Sequence, residues 1–254
     1  MRLLTLLLLL FTAAPLVAEN WPQWRGPRLD GTSHDQGFPT ASDEKTLVWK
    51  AELSGEGHAS PIVWNDFVFI VASNPENEER LLVCLDRASG RRLWQTVVLK
   101  APLEGKHKLN SHASSTPATD GERAYTTFLD TDDVVVSAHD MTGKQAWQVR
   151  VGKFASKHGL SSSPIIYKDK VIVNCDHDGD GYVVALSRTD GKELWRIDRP
   201  NKTRSYCVPL IREMAGKMQM VLSGSMCVAS YDPDTGKLIW IIDGPTEQFV
   251  ASLV

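Results

Sequence analysis

The sequence has few cysteines, no strong charge imbalance and no long apolar run beyond its first residues. Its 254 residues carry a formal net charge of -3, with acidic and basic side chains interspersed, which argues against nucleic acid or an anionic membrane as the main partner. The cysteines are too few for a disulfide scaffold and form no Cys-x-x-Cys pair. We expect buried free thiols at Cys84, Cys175, Cys207 and Cys227.

Residues 1–18 are typical of a secretory signal peptide. Arg2 precedes an apolar run from Leu3 to Phe11, and small residues follow as far as Ala18. This run is too short for a stable membrane-spanning helix, and no later stretch is long enough. We therefore expect an exported protein, periplasmic or extracellular, with no transmembrane segment after cleavage. Export would permit a disulfide, but no cysteine lies near the cleavage point for lipid attachment.

One pattern occurs four times along the chain. Each copy opens with a proline, usually after Ser or Thr, continues through β-branched runs, and ends with a glycine followed four residues later by tryptophan. The copies open at Pro61, Pro117, Pro164 and Pro209 and end at Gly90 and Trp94, Gly143 and Trp147, Gly191 and Trp195, and Gly236 and Trp240. A period this long and regular indicates a repeat architecture in which each unit buries its apolar face against its neighbours.

Each copy contains four short strand signals separated by turns. In the first copy, Asn65-Asp66 separates two apolar runs, and the turn ending at Gly90 precedes the strand that carries Trp94. Four antiparallel strands per unit predict an all-β protein, a β-propeller with blades at about 58–97, 112–151, 158–198 and 205–243. We expect the repeated tryptophans to cover the seams between blades.

These repeats resemble the pyrroloquinoline-quinone-like (PQQ-like) β-propeller family, whose units share the Ser-Pro opening and the Gly-x-x-x-Trp ending. The resemblance covers residues 47–254. Within the N-terminal segment, residues 19–46, the run from Trp21 to Pro27 and the later Asp30-Gly31 look like the start of exported bacterial members. The resemblance implies a propeller of six to eight blades, which is more than this sequence contains.

Both ends of the repeat region carry partial copies. Residues 47–50, with Trp49, are expected to form an outer strand whose own blade is missing, and residues 247–254 look like the start of a fifth blade. In a closed propeller such a strand would complete the last blade and cover its edges. We interpret these partial copies as a sign that the sequence is a fragment of a longer propeller; the alternative interpretation is a four-bladed ring.

Three histidines precede the openings of three successive blades. His58, His112 and His158 are expected on the face where propellers usually bind ligands, with Lys106, His107 and Lys157 nearby; the fourth blade has Tyr206 instead. Imidazoles around one channel mouth are candidates for binding a metal, an anion or a cofactor. The alternative is that they make loop hydrogen bonds, because their offsets from the prolines differ.

An acidic run in the third blade resembles the start of a calcium-binding loop. Asp176, Asp178 and Asp180 alternate as such ligands do, but the twelfth position is Ser187 rather than Glu. The alternative is a hairpin loop joining the second and third strands of that blade. No catalytic residue and no cofactor are predicted from the residues themselves.

Two hypotheses for function remain open. The first is a binding scaffold that holds a protein, a peptide or a small ligand on its loop face. The second, implied by the resemblance, is a PQQ-dependent alcohol or sugar dehydrogenase that uses the quinone and a calcium ion. Those enzymes have an Asp base, Asn and Glu calcium ligands, cationic contacts to the quinone and, in many members, a ring formed by adjacent cysteines. This sequence has no adjacent cysteines, and fold alone does not establish an activity.

Overall fold

The computed structural model describes residues 18–41, 43–155, 157–244 and 246–253. The predicted signal peptide therefore lies, apart from its last residue, outside the described residues. Within the described part of the chain, no helix is long and apolar enough to cross a membrane. The helical structure found there is one 3-10 turn, Pro75–Asn77.

The strands form four separate four-stranded antiparallel sheets, each built from strands that are consecutive in the chain. The first sheet contains β1 Ile62–Trp64, β2 Phe67–Asn74, β3 Glu79–Asp86 and β4 Arg92–Lys100, and the second contains β5 Ala118–Thr119, β6 Arg123–Asp130, β7 Asp133–Asp140 and β8 Gln145–Lys153. The third contains β9 Ile165–Tyr167, β10 Lys170–Cys175, β11 Tyr182–Ser187 and β12 Glu193–Asp198, and the fourth contains β13 Leu210–Met214, β14 Lys217–Gly224, β15 Cys227–Tyr231 and β16 Leu238–Asp243. This confirms the predicted blades, and the sheets do not close into a ring.

The core lies between neighbouring sheets, because the central strands of each blade are apolar on both faces. Along β11, Val184 and Leu186 pack against the second blade, whereas Val183 and Ala185 pack against the fourth. This alternation follows from the period of two in a β-strand. The four cysteines are buried and free, as predicted.

Each repeated glycine lies against the tryptophan of the preceding repeat. A Cβ added at these glycines would lie 2.4 to 3.0 Å from the indole, so no other residue fits without movement. The pairs are Trp49 with Gly90, Trp94 with Gly143, Trp147 with Gly191, and Trp195 with Gly236. In three seams the indole N–H also donates to a turn carbonyl, that of Arg87, Met141 or Arg188, at 2.8 to 2.9 Å. The tryptophans thus cover the seams, as expected.

A β-bulge precedes every repeated tryptophan of the four blades. Cys84 pairs with Trp94 but the next residue, Leu85, pairs with Arg92, so Leu93 is left out of the ladder. The same shift occurs before Trp147, Trp195 and Trp240. Because a bulge locally changes how a strand presents its side chains, it is consistent with the indoles of Trp94, Trp147 and Trp195 reaching the glycine of the next blade.

The N-terminal end of the repeat region differs from the prediction. Residues 47–50 are not in a strand, since within the described residues no backbone ladder joins them to another strand; Trp49 nevertheless occupies its seam on Gly90. At the other end, every residue of β16 is exposed. Trp240 donates to Gln219 Oε1 of its own blade at 2.9 Å instead of to a neighbouring turn.

Candidate functional site

The connections between blades meet at one end of the molecule. They span residues 101–117, 154–164 and 199–209, and each leads into an innermost strand, β5, β9 or β13. Hydroxyls at the repeat openings join neighbouring blades: the Ser60 N–H donates to Thr116 Oγ1 at 3.0 Å, and the Thr116 N–H donates to Ser163 Oγ at 2.9 Å. We call this end the loop face. The Ser/Thr-Pro openings therefore hold its loops in register.

A cavity of about 600 Å³ opens on the loop face. We call it the axial pocket, because residues from all the blade openings line it. Three of its lining residues come from segments that lead into three different blades: His58 before the first blade, His158 before the third and Tyr206 before the fourth. A volume of this size falls within the range of small-molecule sites, about 300 to 1,000 Å³.

The histidines of the pocket are not the set that the sequence predicts. His112 is directed away, with its Nε2 against the Glu104 carbonyl at 3.1 Å, and it does not line the pocket. His107, from the same connection, takes its place, and its ring centroid lies 5.5 Å from that of His158. His158 Nδ1 in turn lies 2.9 Å from the Tyr206 hydroxyl.

Among the described residues, the lining of the pocket includes no carboxylate, lysine or arginine. Two cations nearby are held by other groups: Arg204 pairs with Asp178 at 2.6 Å, and Lys106 Nζ donates to the Asn110 carbonyl at 2.6 Å. Desolvation first, and then the positive charge of Arg204, holds the pKa of His158 below its ordinary value. Both effects favour the uncharged form of the His158 ring.

The N-terminal segment crosses the inner strands and reaches the pocket. Trp21 exchanges two backbone hydrogen bonds with Val63, and the Pro22 carbonyl accepts from the Thr119 N–H at 2.8 Å. These contacts join the segment to the first and second blades. Farther on, Asp30 lies 3.6 Å from Arg212 of the fourth blade.

Gln23 and Trp24, which follow Pro22, contact the third blade and the C-terminal residues of the chain. Gln23 Oε1 accepts from the Ile166 N–H at 2.9 Å in the third blade. Trp24 Nε1 donates to Ser252 Oγ at 3.0 Å, and Trp24 lines the axial pocket. Successive residues of the segment thus engage successive blades. Sequence reasoning missed this, and the consecutive polar and aromatic residues of the Trp-Pro-Gln-Trp run are the signal that could have indicated it.

The acidic loop of the third blade forms the predicted hairpin connection between β10 and β11. Its three carboxylates face three different cations: Asp176 pairs with Arg199 at 2.8 Å, Asp178 with Arg204 and Asp180 with Lys202, both at 2.6 Å. Among the described residues, no group of three or more His, Cys, Asp or Glu side chains could hold a metal ion. The arrangement does not fit a calcium ion, and the calcium hypothesis gains no support.

Asp176 belongs to a buried polar cluster rather than to the loop surface. Arg199 and Asp176 are both almost fully buried, and Arg199 Nη1 donates to the Tyr231 hydroxyl at 2.6 Å. The guanidinium thereby joins the third blade to the fourth. Its role is structural, because a buried ion pair that loses one partner leaves an uncompensated charge.

The pocket also does not fit the quinone that the dehydrogenases of the family bind. A calcium ion there would need oxygen ligands from carboxylates, but none lines the pocket. The cysteines that would form the adjacent-cysteine ring are buried, free and separate in sequence.

Comparison with known proteins places the chain among repeat proteins of this kind. A family model described as outer membrane protein assembly factor BamB, of the PQQ-like repeat type, matches residues 35–102 and 77–252. A search of curated proteins found no match.

Solved structures with the same fold include BamB and two quinohemoprotein alcohol dehydrogenases. BamB from Moraxella catarrhalis is 17% identical with a TM-score of 0.53, over 77% of this chain and 54% of that one. The quinohemoprotein alcohol dehydrogenase from Comamonas testosteroni is 15% identical with a TM-score of 0.65, over 88% and 41%. A second quinohemoprotein alcohol dehydrogenase, from Pseudomonas putida HK5, is 17% identical with a TM-score of 0.57, over 88% and 40%. The chain thus spans about half or less of the length of these proteins, and the likeness shows the fold.

Proposed function

Because this chain belongs to the PQQ-like repeat family whose model is described as outer membrane protein assembly factor BamB, we propose that it is an exported scaffold that binds a protein partner through its loop face. The predicted signal peptide supports export to the periplasm or beyond. The solved scaffold that shares the fold, BamB, supports the interaction role.

The observation that carries the proposal is an apolar and basic rim around the axial pocket. Leu109 is 75% exposed and Val250 is 72% exposed, and both line the pocket mouth. His107 and Lys108, which are also exposed, place basic side chains beside Leu109. Exposed apolar side chains ringed by polar groups are typical of protein interaction sites.

Leu109 lies on the longest of the three connections between blades, residues 101–117. This loop is anchored internally, since Ser111 and Ser114 hydroxyls lie 2.8 Å apart and the Asn110 amide donates to the His158 carbonyl at 2.6 Å. A braced loop presents its exposed side chains in one arrangement, which lowers the entropy lost on binding.

Site-specific photo-crosslinking in the native cells tests the proposal. A photoreactive residue at position 109 should yield a discrete protein adduct, identified by mass spectrometry. The matched control is position 144: Lys144 is exposed but lies in the turn between β7 and β8, at the opposite end of its blade. Equal adduct yields at both positions, or none at position 109, would contradict the proposal.

The dehydrogenase alternative is tested separately. Purified protein mixed with PQQ and calcium should show no change in quinone absorbance, no rise in Tm and no dye-coupled alcohol or sugar oxidation, because the pocket offers no carboxylate ligands. A positive result in any of these assays would favour the enzyme over the scaffold.

A further inference from the structure

The axial pocket combines aromatic walls with neutral polar groups. Trp24 and Tyr206 contribute the aromatic rings, and Leu109, Val208 and Val250 contribute apolar surface. Every polar side chain in the lining is a hydroxyl, an amide or an imidazole. Among the described residues, the lining therefore contains no carboxylate, lysine or arginine that would pair with an ionic ligand.

Several of these polar groups retain hydrogen-bonding capacity. The side chains of His58 and Ser161 line the pocket and have no hydrogen-bond partner within the described residues. With the Gln248 amide turned so that its oxygen faces the Arg204 guanidinium, that oxygen accepts from Arg204 at 2.6 Å; this orientation satisfies both groups and leaves the NH2 group as a donor. Ser252 Oγ accepts from Trp24 Nε1, and its own hydroxyl hydrogen remains available for donation.

Other lining groups are engaged in holding the pocket's shape. Asn110 accepts from the Ser111 N–H at 2.9 Å and from the Ser114 hydroxyl, while its amide donates to the His158 carbonyl. The pocket therefore contains rigid supporting groups beside uncommitted donors and acceptors, the arrangement that gives orientation-specific recognition of small ligands.

From this chemistry we propose that the axial pocket binds a neutral saccharide of one or two rings, without oxidising it. The C–H faces of a sugar ring pack on aromatic side chains, and its hydroxyls each need a donor or an acceptor. The mixture of uncommitted imidazole, hydroxyl and amide groups meets that need, and the absence of carboxylates, lysines and arginines from the described lining disfavours acids and amines. The site adjoins the protein-binding rim, which shares Leu109 and Val250 with the lining of the pocket, but sugar binding does not require a protein partner.

Calorimetric titration of the full chain tests the site directly. The probes are neutral methyl glycosides and disaccharides, with a uronic acid and an amino sugar as charged counterparts. Neutral sugars should bind, and His58→Ala and Gln248→Ala should each weaken the affinity by about tenfold, the loss expected for one hydrogen bond to the ligand.

The control substitution is His34→Ala, because His34 is exposed in the N-terminal segment and does not line the pocket; it should leave the affinity unchanged. Both test side chains lie at the surface of a preformed pocket, and unchanged Tm values would verify that the variants fold. The proposal would be overturned if no neutral sugar bound, or if the affinity were unchanged by both substitutions. Preference for the uronic acid would also overturn it and would identify an anion site instead. These outcomes do not depend on the crosslinking experiment.

Discussion

The indole of Trp147 lies directly on the backbone of Gly191, so that an added Cβ would come within 2.7 Å of the ring. Trp147 is contributed by the second blade and Gly191 by the third. This contact packs the indole of one sheet against the bare backbone of the next, because glycine has no side chain. The seam between blades is therefore specified by the absence of a Cβ as much as by the presence of the ring.

Substituting this glycine tests the seam. Gly191→Ala should destabilise the fold more than Gly216→Ala, measured by chemical denaturation. The two glycines have nearly equal φ, +73° and +74°, but Gly216 has open space around its Cβ position. The backbone strain is thus matched, and the difference should be about 1 to 3 kcal/mol from overpacking against Trp147. Equal losses would show that the seam accommodates the methyl group.

Removing the indole should also affect one repeat more than another. Trp147 is 8% exposed, whereas Trp240 in the equivalent position of the fourth blade is 36% exposed. Trp147→Ala should cost about 3 to 5 kcal/mol, the range for a buried ring, and Trp240→Ala clearly less. Thermal and urea unfolding provide the measurement, with comparable losses for both variants as the contradicting result.

The buried ion pair predicts a contrast between two aspartates of one loop. Asp176→Asn should destabilise the protein by about 3 to 5 kcal/mol, because it leaves Arg199 charged and buried. Asp180→Asn should cause no measurable loss, since its partner Lys202 and the carboxylate are both exposed. Chemical denaturation of both variants gives their free energies of unfolding. A larger loss in Asp180→Asn than in Asp176→Asn would refute this account.

A buried histidine predicts that stability falls with acid. His139 is fully buried, neither ring nitrogen has a hydrogen-bond partner among the described residues, and burial lowers its pKa from 6.5 to about 4. Between those two values the unfolded chain binds a proton that the folded chain does not. This histidine's contribution to stability is therefore lost as pH falls through 6.5, and the loss levels off near pH 4.

The measurement is the free energy of unfolding at pH 7 and pH 4.5. His139→Leu should reduce the difference between the two by about 2 to 3 kcal/mol, whereas His34→Leu, at an exposed position, should not change it. An unchanged pH dependence in His139→Leu would show that another group causes the acid sensitivity.

The N-terminal segment is expected to stabilise the blades that it crosses. Gln23 is 6% exposed and its Oε1 satisfies the Ile166 N–H, so Gln23→Leu should leave that donor unpaired and cost about 1 to 3 kcal/mol. Gln36→Leu serves as the control, because Gln36 is exposed in the same segment. Similar urea midpoints for the two variants would indicate that the crossing contributes little.

The repeat pattern predicted the blades well because the residues that specify each turn and each strand are adjacent in the sequence. The four turns that end in glycine and the tryptophans four residues later mark each outer strand, and the strands occur where the pattern indicates. The pattern did not reveal the bulge before each tryptophan, because a bulge depends on how two strands pair rather than on the composition of either one. It also predicted a strand at residues 47–50, but within the described residues no ladder joins this stretch to another strand.

The site was predicted less completely than the fold. His58 and His158 meet at the axial pocket, but His107 replaces His112 there. The two candidates are five residues apart in one irregular loop, where no periodicity indicates which side chain points inward. The hydrogen bond from His112 to the Glu104 carbonyl holds the His112 ring away from the pocket, and this bond forms only when the loop is folded.

The sequence alone determined the number of blades, their strand order and the tryptophan seams, because these depend on residues close together in the chain and repeated at a regular period. Tertiary structure decided where the working surface lies. The pocket joins residues from Trp24 to Ser252, and contacts between such distant parts of the chain are set by how the blades pack. That packing also pairs each acidic loop residue with its own cation, which turns an apparent calcium motif into three ion pairs.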